Sequence, residues 1–241
     1  MKTIHQFGDS YGAELYSKNK EYRIKNFIEL SCIQLNYKYV NDARGGSSNE
    51  MILNRMLNYL KNINSGDIVF VNFSFFVRGC WYDDTYKKIK STNELFDELY
   101  NNKMYYKIKN ENVIGLVEYY LNSTKDYNMR IFTLIDSVFK YLKSKNVDIF
   151  YIFVDDCEWV DDLLTVGTNI KFPKGFAKWL IINGFGEEQE CHYTKGIQPL
   201  LANVILKKTN NFTINNNSIV IDIEDVDFDV VLKKPIDKNL L

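Results

Sequence analysis

The run from Asp67 to Phe73 constrains the fold of this chain more than any other feature. It reads Asp-Ile-Val-Phe-Val-Asn-Phe, and it is almost continuously apolar and rich in β-branched residues. A strand with one solvated face alternates apolar and polar residues, whereas a strand buried on both faces is apolar throughout. The run therefore predicts a central strand of a parallel sheet that is covered on both sides.

Other segments extend this pattern along the chain. Further apolar runs predict strands at 3–8, 38–41 and 147–154. Apolar residues at helical spacing predict helices over 21–35, 49–63, 129–143 and 196–206. The inward face of the first predicted helix would hold Phe27, Leu30, Ile33 and Leu35. Strands separated by helices predict an α/β fold, a three-layer α/β/α sandwich around a central parallel sheet.

The chain is predicted to form one domain over residues 1–207, followed by an extension over 208–241. The segment 80–128 is rich in Tyr, Lys and Asn and is interpreted as helices with an insertion or lid. The extension has β-like runs at 212–214 and 218–223, flanked by asparagines. It is expected to form either an appended hairpin or a segment used in assembly.

Composition narrows the class of function. The chain has 30 basic and 31 acidic residues, a formal charge of −1, so no nucleic-acid partner is expected. Its four cysteines form no CxxC pair and it has only two histidines. The ligands of a zinc site are therefore missing at the usual spacing, and we expect no metal and no cofactor.

The compartment is also expected from the sequence. The first residues lack the apolar region of a signal peptide, and no apolar run approaches the length of a transmembrane helix. We expect a soluble, cytoplasmic protein with no membrane contact. Assembly into a virus particle from an intracellular pool is consistent with the same features.

Three polar segments follow predicted strands. The first is Phe7-Gly8-Asp9-Ser10-Tyr11-Gly12. A serine just after a strand and between glycines can present its hydroxyl at the edge of the sheet. Its backbone N–H can then face an incoming carbonyl. The same residues also make ordinary turns.

The second segment spans residues 41–50. Ser47 and Glu50 have the spacing of a helix capping box. Gly46 would then precede the helix, where its N–H can stabilise an oxyanion. Asn49, at the start of that helix, is a candidate for substrate binding. A plain helix start explains the same pattern.

The third segment spans residues 190–196 and contains His192. It lies between an acidic residue, Glu190, and a predicted helix. A serine hydroxyl needs a base to become a nucleophile, and a carboxylate near a histidine fixes its tautomer. His5, the other histidine, is a competing base, but its position early in the first strand favours the opposite end of the sheet.

Together these segments resemble the SGNH, or GDSL-like, hydrolase family. That family has Gly-Asp-Ser near the N-terminus, a glycine after the second strand, an asparagine block after the third, and a histidine block near the C-terminus. Here Gly8-Asp9-Ser10, Gly46 and His192 occupy the matching places. The resemblance spans residues 3–206 and implies a flavodoxin-like parallel sheet and a serine esterase.

The resemblance also implies the residue roles. Ser10 is the nucleophile, His192 the base, and the oxyanion hole is formed by the N–H groups of Ser10 and Gly46 and a side chain after the third strand. Ser74 stands where the family usually has asparagine, with Asn72 nearby as the alternative.

The acid that orients His192 is left open. It is Glu190, or Glu188, or a backbone carbonyl takes its place. Asp9 is expected to tie the turn together, with substrate binding as the alternative role. Arg78 is a candidate for binding an anionic substrate, with pairing to Asp83 or Asp84 as an equal alternative. Asp155-Asp156 ends a strand at the same edge and is interpreted as a turn, with substrate contact as the alternative.

Three functions are compatible with these residues. The first is an esterase that removes a small acyl group, with an acetyl group on a carbohydrate as one candidate. The second is an O-acyltransferase that uses the same serine and histidine. The third is a catalytically silent binding module in a surface-polysaccharide pathway or a virus particle. Oligomeric state is not predicted.

Overall fold

A six-stranded parallel sheet forms the middle layer of the described part of the chain. The computed structural model describes residues 1–9, 11–13, 15–16, 23–74, 80–83, 88–91, 111–155, 160, 162–185, 197–213 and 218–226. The sheet strands are β1 (Thr3–Gly8), β4 (Lys38–Asn41), β5 (Ile68–Phe73), β8 (Asp148–Phe153), β9 (Thr168–Lys171) and β10 (Ser218–Val220). Two antiparallel ribbons pair β2 (Leu15–Tyr16) with β3 (Arg23–Ile24), and β6 (Cys80–Asp83) with β7 (Lys88–Ser91).

The order of the strands across the sheet is β4-β1-β5-β8-β9-β10. Every neighbouring pair is parallel. The second sheet strand in the chain lies on one side of β1, and all later strands lie on the other. This is the flavodoxin-like order, in which the switch point lies between β1 and β5. The predicted fold class, an α/β sandwich with a central parallel sheet, is confirmed.

Helices cover both faces of the sheet. They are α1 (Phe27–Leu35), α2 (Asn49–Tyr59), α3 (Glu111–Ser144), α4 (Phe176–Ile182) and α5 (Ile197–Lys208). Ile68 and Phe70 of β5 share one apolar cluster with α1, α4 and α5, while Val69 and Val71 share another with α2 and α3. The strand predicted to be buried on both faces therefore has a core on each side.

The first helix begins later than predicted. The helix expected over 21–35 begins at Phe27, and Arg23–Ile24 instead pairs with β2. Asn26 sets this start, since its side chain accepts the backbone N–H of Glu29 at 2.9 Å. Ile33, predicted to face inward, is 49% exposed. The buried face consists of Phe27, Ile28, Ser31 and Cys32.

The other differences lie after residue 59. The helix predicted over 49–63 ends at Tyr59 and continues as a 3₁₀ turn over Leu60–Asn62. The helix predicted from residue 129 begins at Glu111. The run predicted as β-like at 212–214 has Phe212 in a turn after α5, buried against the rings of Phe70 and Phe150.

The predicted extension contributes to the main sheet. Ser218–Val220 pairs in parallel with β9, so these residues form an edge strand and not one arm of a hairpin. β9 and α4 were not predicted from the sequence. The boundary between a domain and an extension at residue 208 stays a prediction.

Candidate active site at the switch point of the sheet

The carboxyl ends of β1 and β5 meet at the point where the strand order reverses. Gly8, the last residue of β1, lies opposite Asn72 of β5 in the register. Ligands of open parallel sheets bind outside the carboxyl ends of the strands at such a point. Asp9 and Ser10 follow Gly8 in the chain, so the predicted nucleophile belongs to the loop that leaves β1 here.

Close contact between the two strands requires glycine at position 8. A Cβ atom there would lie 2.8 Å from the Cβ of Asn72 and 2.8 Å from its carbonyl oxygen. The Gly8 carbonyl accepts two hydrogen bonds, from the Arg44 N–H at 3.0 Å and from Arg55 Nη2 at 2.8 Å. The last peptide before the turn is therefore held by β5, by the loop that contains Arg44 and by α2.

The turn after Gly8 is fixed on both sides of position 10. Asp9 is fully buried, and its Oδ1 accepts the backbone N–H of Tyr11 at 3.0 Å. Its carbonyl accepts the N–H groups of Gly12 and Ala13 at 3.1 and 3.0 Å. Asp9 thus closes the turn with its own side chain, which favours the structural role over contact with substrate. Ser10 lies outside the described residues.

The ring of Tyr11 anchors the turn in the core. Its side chain is 1% exposed and packs edge-on against Phe176 of α4, with ring centroids 5.6 Å apart. An aromatic anchor one residue after position 10 limits how far the turn can shift, because moving it would open a void in the core.

The loop between β4 and α2 lies against this turn through Arg44. Gly46 in this loop has φ +75°, a conformation that favours glycine. Its N–H has no acceptor among the described residues, so the donor that the sequence assigned to an oxyanion hole remains available. That role stays a prediction.

The capping box predicted for Ser47 and Glu50 is wrong by one residue. Ser48 is the N-cap of α2, and its hydroxyl accepts the Met51 N–H at 3.3 Å. The Ser47 hydroxyl instead donates to the Arg44 carbonyl at 2.7 Å, inside the loop. Glu50 accepts a hydrogen bond from the Tyr127 hydroxyl of α3.

Asn49 joins α2 to the end of β5. Its Oδ1 accepts the Ser74 N–H at 2.7 Å, and its Nδ2 donates to the Ser74 carbonyl at 3.2 Å. Asn49 and Ser74 are both fully buried. The amide of Asn49 is used on the backbone of Ser74, so its role in this structure is to hold the loop after β5. Substrate binding by Asn49 stays a prediction.

Arg55 places a partly desolvated positive charge beside the turn. Burial lowers the pKa of Arg55, the negative charge of Asp42 opposes this, and the positive charge of Arg44 lowers the pKa further. An arginine stays protonated even so. Its guanidinium therefore supplies a fixed positive charge at the carbonyl of Gly8, two residues before Ser10 in the chain. Arg44 is far more exposed and pairs with Asp42 at 3.3 Å.

A buried network of neutral polar side chains lies beneath the turn. Its members come from four segments and are Gln6, Asn26, Tyr39, Asn41 and Asn72. The sequence did not predict that these side chains form a network, although Asn72 was considered on its own. The one signal in the sequence is Gln6 itself, a polar residue next to Phe7 near the end of a strand that is buried.

His5 lies at the other end of the sheet, as the sequence predicted. Its Nε2 is 3.1 Å from Oδ2 of Asp67, which precedes β5. It also faces the side of the sheet covered by α2, against the ring of Tyr59. His5 is therefore not placed to act as a base at Ser10.

The remaining predicted residues are only partly placed. Asp155 follows β8 at the carboxyl edge. His192, Glu190, Glu188, Arg78 and Asp156 lie outside the described residues, as does most of 80–128. Within the described ranges, no group of three or more His, Cys, Asp or Glu side chains is placed to hold a metal ion. No described helix is long and apolar enough to cross a membrane.

Comparisons with known proteins give a remote likeness in shape. No family model matches the chain, and no curated protein is similar to it. One similar solved structure is the psychrotrophic esterase EstA from Pseudoalteromonas sp., at 11% identity and TM-score 0.46, covering 88% of this chain and 98% of that one. A second is a member of the lipolytic protein G-D-S-L family from Veillonella parvula, at 12% identity and TM-score 0.44, covering 86% and 97%.

A third similar structure is a larger Bacillus subtilis protein. It is 14% identical with a TM-score of 0.37, and the match covers 92% of this chain but 43% of that one. Likenesses with such low identities and TM-scores support no argument about activity.

Proposed function

We propose that the chain is a serine ester hydrolase, with Ser10 as nucleophile and His192 as general base. The observation that supports this most is the Gly8–Gly12 turn at the switch point of the sheet. Both neighbours of position 10 are fixed by hydrogen bonds, and Arg55 adds a positive charge beside the turn. A rigid turn of this kind holds a nucleophile in one place, which is a large part of what catalysis requires.

The proposed chemistry is acyl transfer to water in two steps. His192 takes the proton of the Ser10 hydroxyl as its oxygen attacks the ester carbonyl. The tetrahedral intermediate then expels the alcohol, which receives the proton from His192, and an acyl-enzyme remains. Water, deprotonated by the same histidine, attacks the acyl-enzyme; the acid leaves as His192 returns the proton to the Ser10 oxygen.

The developing oxyanion is proposed to rest among donors at three loop ends. These donors are the N–H groups of Ser10 and Gly46 and a side chain at the end of β5. At that end, Asn72 Nδ2 is buried and has no acceptor among the described residues. This supports Asn72 as the third donor, with the Ser74 hydroxyl as the alternative. Each such donor is worth about 3–4 kcal/mol of barrier.

The remaining roles follow from the sequence. Glu190 is the proposed acid that orients His192, with Glu188 as the alternative. The proposed substrate is a small acyl ester, such as an acetyl group on a carbohydrate. The aromatic residues of 80–128 suit a rim for a sugar, since aromatic faces pack on its C–H groups. Arg78 would suit an anionic substrate.

Hydrolysis of p-nitrophenyl acetate, butyrate and octanoate tests the proposal. The wild type is expected to hydrolyse the acetate fastest, and Ser10→Ala to fall to the background rate. Ser137→Ala is the matched control, because its hydroxyl lies on the exposed side of α3 and bonds only to the Thr133 carbonyl. It is expected to behave as wild type.

Adding an acceptor alcohol to the assay distinguishes an ester hydrolase from an O-acyltransferase. A product ester that forms at the expense of free acid would make the chain an acyltransferase with the same serine. A folded wild type that releases no p-nitrophenol from any of the three esters would contradict the proposal and favour a binding module.

A further inference from the structure

Gln6 is a fully buried amide in the central part of the sheet. It lies two residues before Gly8 on β1 and so faces the same side of the sheet, where Ile4 belongs to the apolar core. A buried amide is unfavourable unless all its polar atoms find partners. The partners of Gln6 therefore indicate why an amide is kept at this position.

The hydrogen bonds of Gln6 define its orientation. Its Oε1 accepts from the Tyr39 hydroxyl at 2.6 Å and from Asn26 Nδ2 at 3.1 Å. Its Nε2 donates to Asn72 Oδ1 at 2.7 Å. Rotating the amide by 180° would set donors against donors, so its neighbours allow one orientation.

The same network holds the turn that leads to and from Ser10. The Gly12 carbonyl accepts from Asn26 Nδ2 at 3.2 Å and from Asn41 Nδ2 at 3.0 Å. Gly12 also rests directly on the Gln6–Asn72 pair. A Cβ atom at Gly12 would lie 2.8 Å from both Asn72 Oδ1 and Gln6 Nε2.

Asn72 shows that this network is not arranged for stability alone. Gln6 occupies its Oδ1, so its Nδ2 is turned away from Gln6. That nitrogen is buried and has no acceptor among the residues that the structure describes. An unsatisfied buried donor destabilises the folded state, and such groups need an explanation. Asn72 lies opposite Gly8 at the carboxyl end of β5, where a donor that Gln6 keeps free can serve the site.

We infer that Gln6 is a positioning residue: its amide fixes the Ser10 turn through Asn26 and Gly12 and sets the orientation of the Asn72 amide. The inference rests on the proposed function, since it assigns Gln6 a role in the same reaction. It goes further in naming a buried residue that contacts no substrate and yet controls the rate.

The test compares Gln6→Met with the wild type. Methionine has a similar length and lacks the amide, so it removes all three hydrogen bonds and still fills the space. Tyr39→Phe is a milder variant that keeps the Gln6 amide and removes one hydroxyl, which donates to Gln6 Oε1 at 2.6 Å and accepts from Asn26 Nδ2 at 2.7 Å. The matched control is Thr209→Val, which removes a fully buried hydroxyl whose two hydrogen bonds stay within residues 205–212.

Three assays are run on each variant: steady-state kinetics with p-nitrophenyl acetate for kcat and KM, the rate of phosphonylation by a fluorophosphonate, and amide hydrogen exchange at Tyr11, Gly12 and Ala13. Gln6→Met is expected to lower kcat and phosphonylation roughly 10- to 100-fold with little change in KM. Exchange at the three amides should become faster. Tyr39→Phe should change the same quantities less, and Thr209→Val should change only the melting temperature.

Unchanged phosphonylation and unchanged exchange in a folded Gln6→Met would overturn the inference. If Gln6→Met does not fold, Tyr39→Phe takes its place in the same comparison with Thr209→Val. A wild type that takes no phosphonate would contradict the proposed function instead. In that case amide hydrogen exchange alone tests the role of Gln6. Faster exchange in Gln6→Met that is confined to residues 11–13 supports positioning by Gln6, and unchanged exchange overturns it.

Discussion

The two ends of the β1–β5 pair are built from different chemistry. At the amino end, the Asp67 carboxylate accepts hydrogen bonds from the backbone N–H groups of Thr3 and Asn64 at 3.0 and 2.9 Å, and lies 3.1 Å from His5 Nε2. At the carboxyl end, Gln6 and Asn72 are neutral amides, and one amide nitrogen is left without an acceptor.

This difference separates stability from function within one pair of strands. The carboxylate at the amino end satisfies three donors and secures the start of both strands. The carboxyl end leaves a buried amide donor, Asn72 Nδ2, without an acceptor among the described residues, and it brings two strands into a contact that only glycine allows. At the amino end, the atom without a partner among those residues, His5 Nδ1, belongs to a ring whose other nitrogen already bonds to Asp67. Unmet donors and tight backbone contacts of this kind cluster at functional sites. The contrast therefore predicts which substitutions change activity and which change only stability.

The two histidines give the largest expected effect. His192→Gln should reduce phosphonylation of Ser10 by roughly 10⁴-fold or more, since the serine loses its base. His5→Gln, at the amino end, should leave that rate unchanged and lower the free energy of unfolding by about 1 kcal/mol. The phosphonylation rate is measured by quenching the labelling reaction at set times, and the free energy of unfolding by urea titration. Equal labelling rates in the two variants would contradict this prediction.

The two glycine positions give the next effect. Gly8→Ala forces Cβ against the Asn72 backbone, so we expect a loss of about 1–3 kcal/mol and a fall in kcat. Gly66→Ala, in the turn before β5, meets no atom within 4 Å and has only its φ of +84° to strain it. It should lose about 1–2 kcal/mol with normal kcat. A Gly8→Ala enzyme with wild-type kcat would contradict this prediction.

The two arginines near the turn sharpen the comparison further. Arg55→Gln removes the charged donor to the Gly8 carbonyl, and kcat is expected to fall roughly tenfold, in line with about 1.5–3 kcal/mol for such a bond. Arg44→Gln removes only an exposed pair with Asp42 and keeps the backbone bond to Gly8. Its kcat and stability should stay near wild type. Steady-state kinetics on both variants test this prediction, and a similar loss of kcat in the two variants would contradict it.

The smallest effect on activity is expected at Asp67. Burial alone would raise the pKa of Asp67, but hydrogen bonds from the Asn64 N–H, His5 and the Thr3 N–H hold it below its ordinary value. The ionised form therefore stabilises the folded chain above the unfolded pKa of about 3.9, and this contribution is lost as the pH falls through the folded pKa.

Asp67→Asn should thus lower the free energy of unfolding by about 1–3 kcal/mol at pH 7 and by less at pH 3. Urea titrations at the two pH values measure the difference, and phosphonylation at pH 7 should match the wild type. A loss that is equal at both pH values would show that the charge of Asp67 does not contribute.

The sequence predicted the layers of this fold because the central strands are buried on both faces. The apolar runs that became β5 and β8 leave little alternative to a covered parallel sheet. β9 was missed because Thr-Asn-Ile-Lys has a single apolar residue. The start of α1 was misplaced because it is set partly by Gln198, which accepts the Phe27 N–H from 171 residues away in the chain.

The candidate site was predictable only where its residues are contiguous. Gly8-Asp9-Ser10 forms a recognisable motif at the end of a strand, so its location followed from the strand. The amide network could not be predicted, because Gln6, Asn26, Tyr39 and Asn72 come from separate segments. Their hydrogen bonds exist only after the sheet and α1 have packed together.

The central claim, that the turn after β1 presents an activated serine, is tested most directly by intact mass after treatment with a fluorophosphonate. Wild type and Ser10→Ala are treated side by side, and folding of each is checked by circular dichroism. We predict one phosphonyl adduct on the wild type and none on Ser10→Ala. An unmodified, folded wild type, or an adduct that persists in Ser10→Ala, would contradict the account.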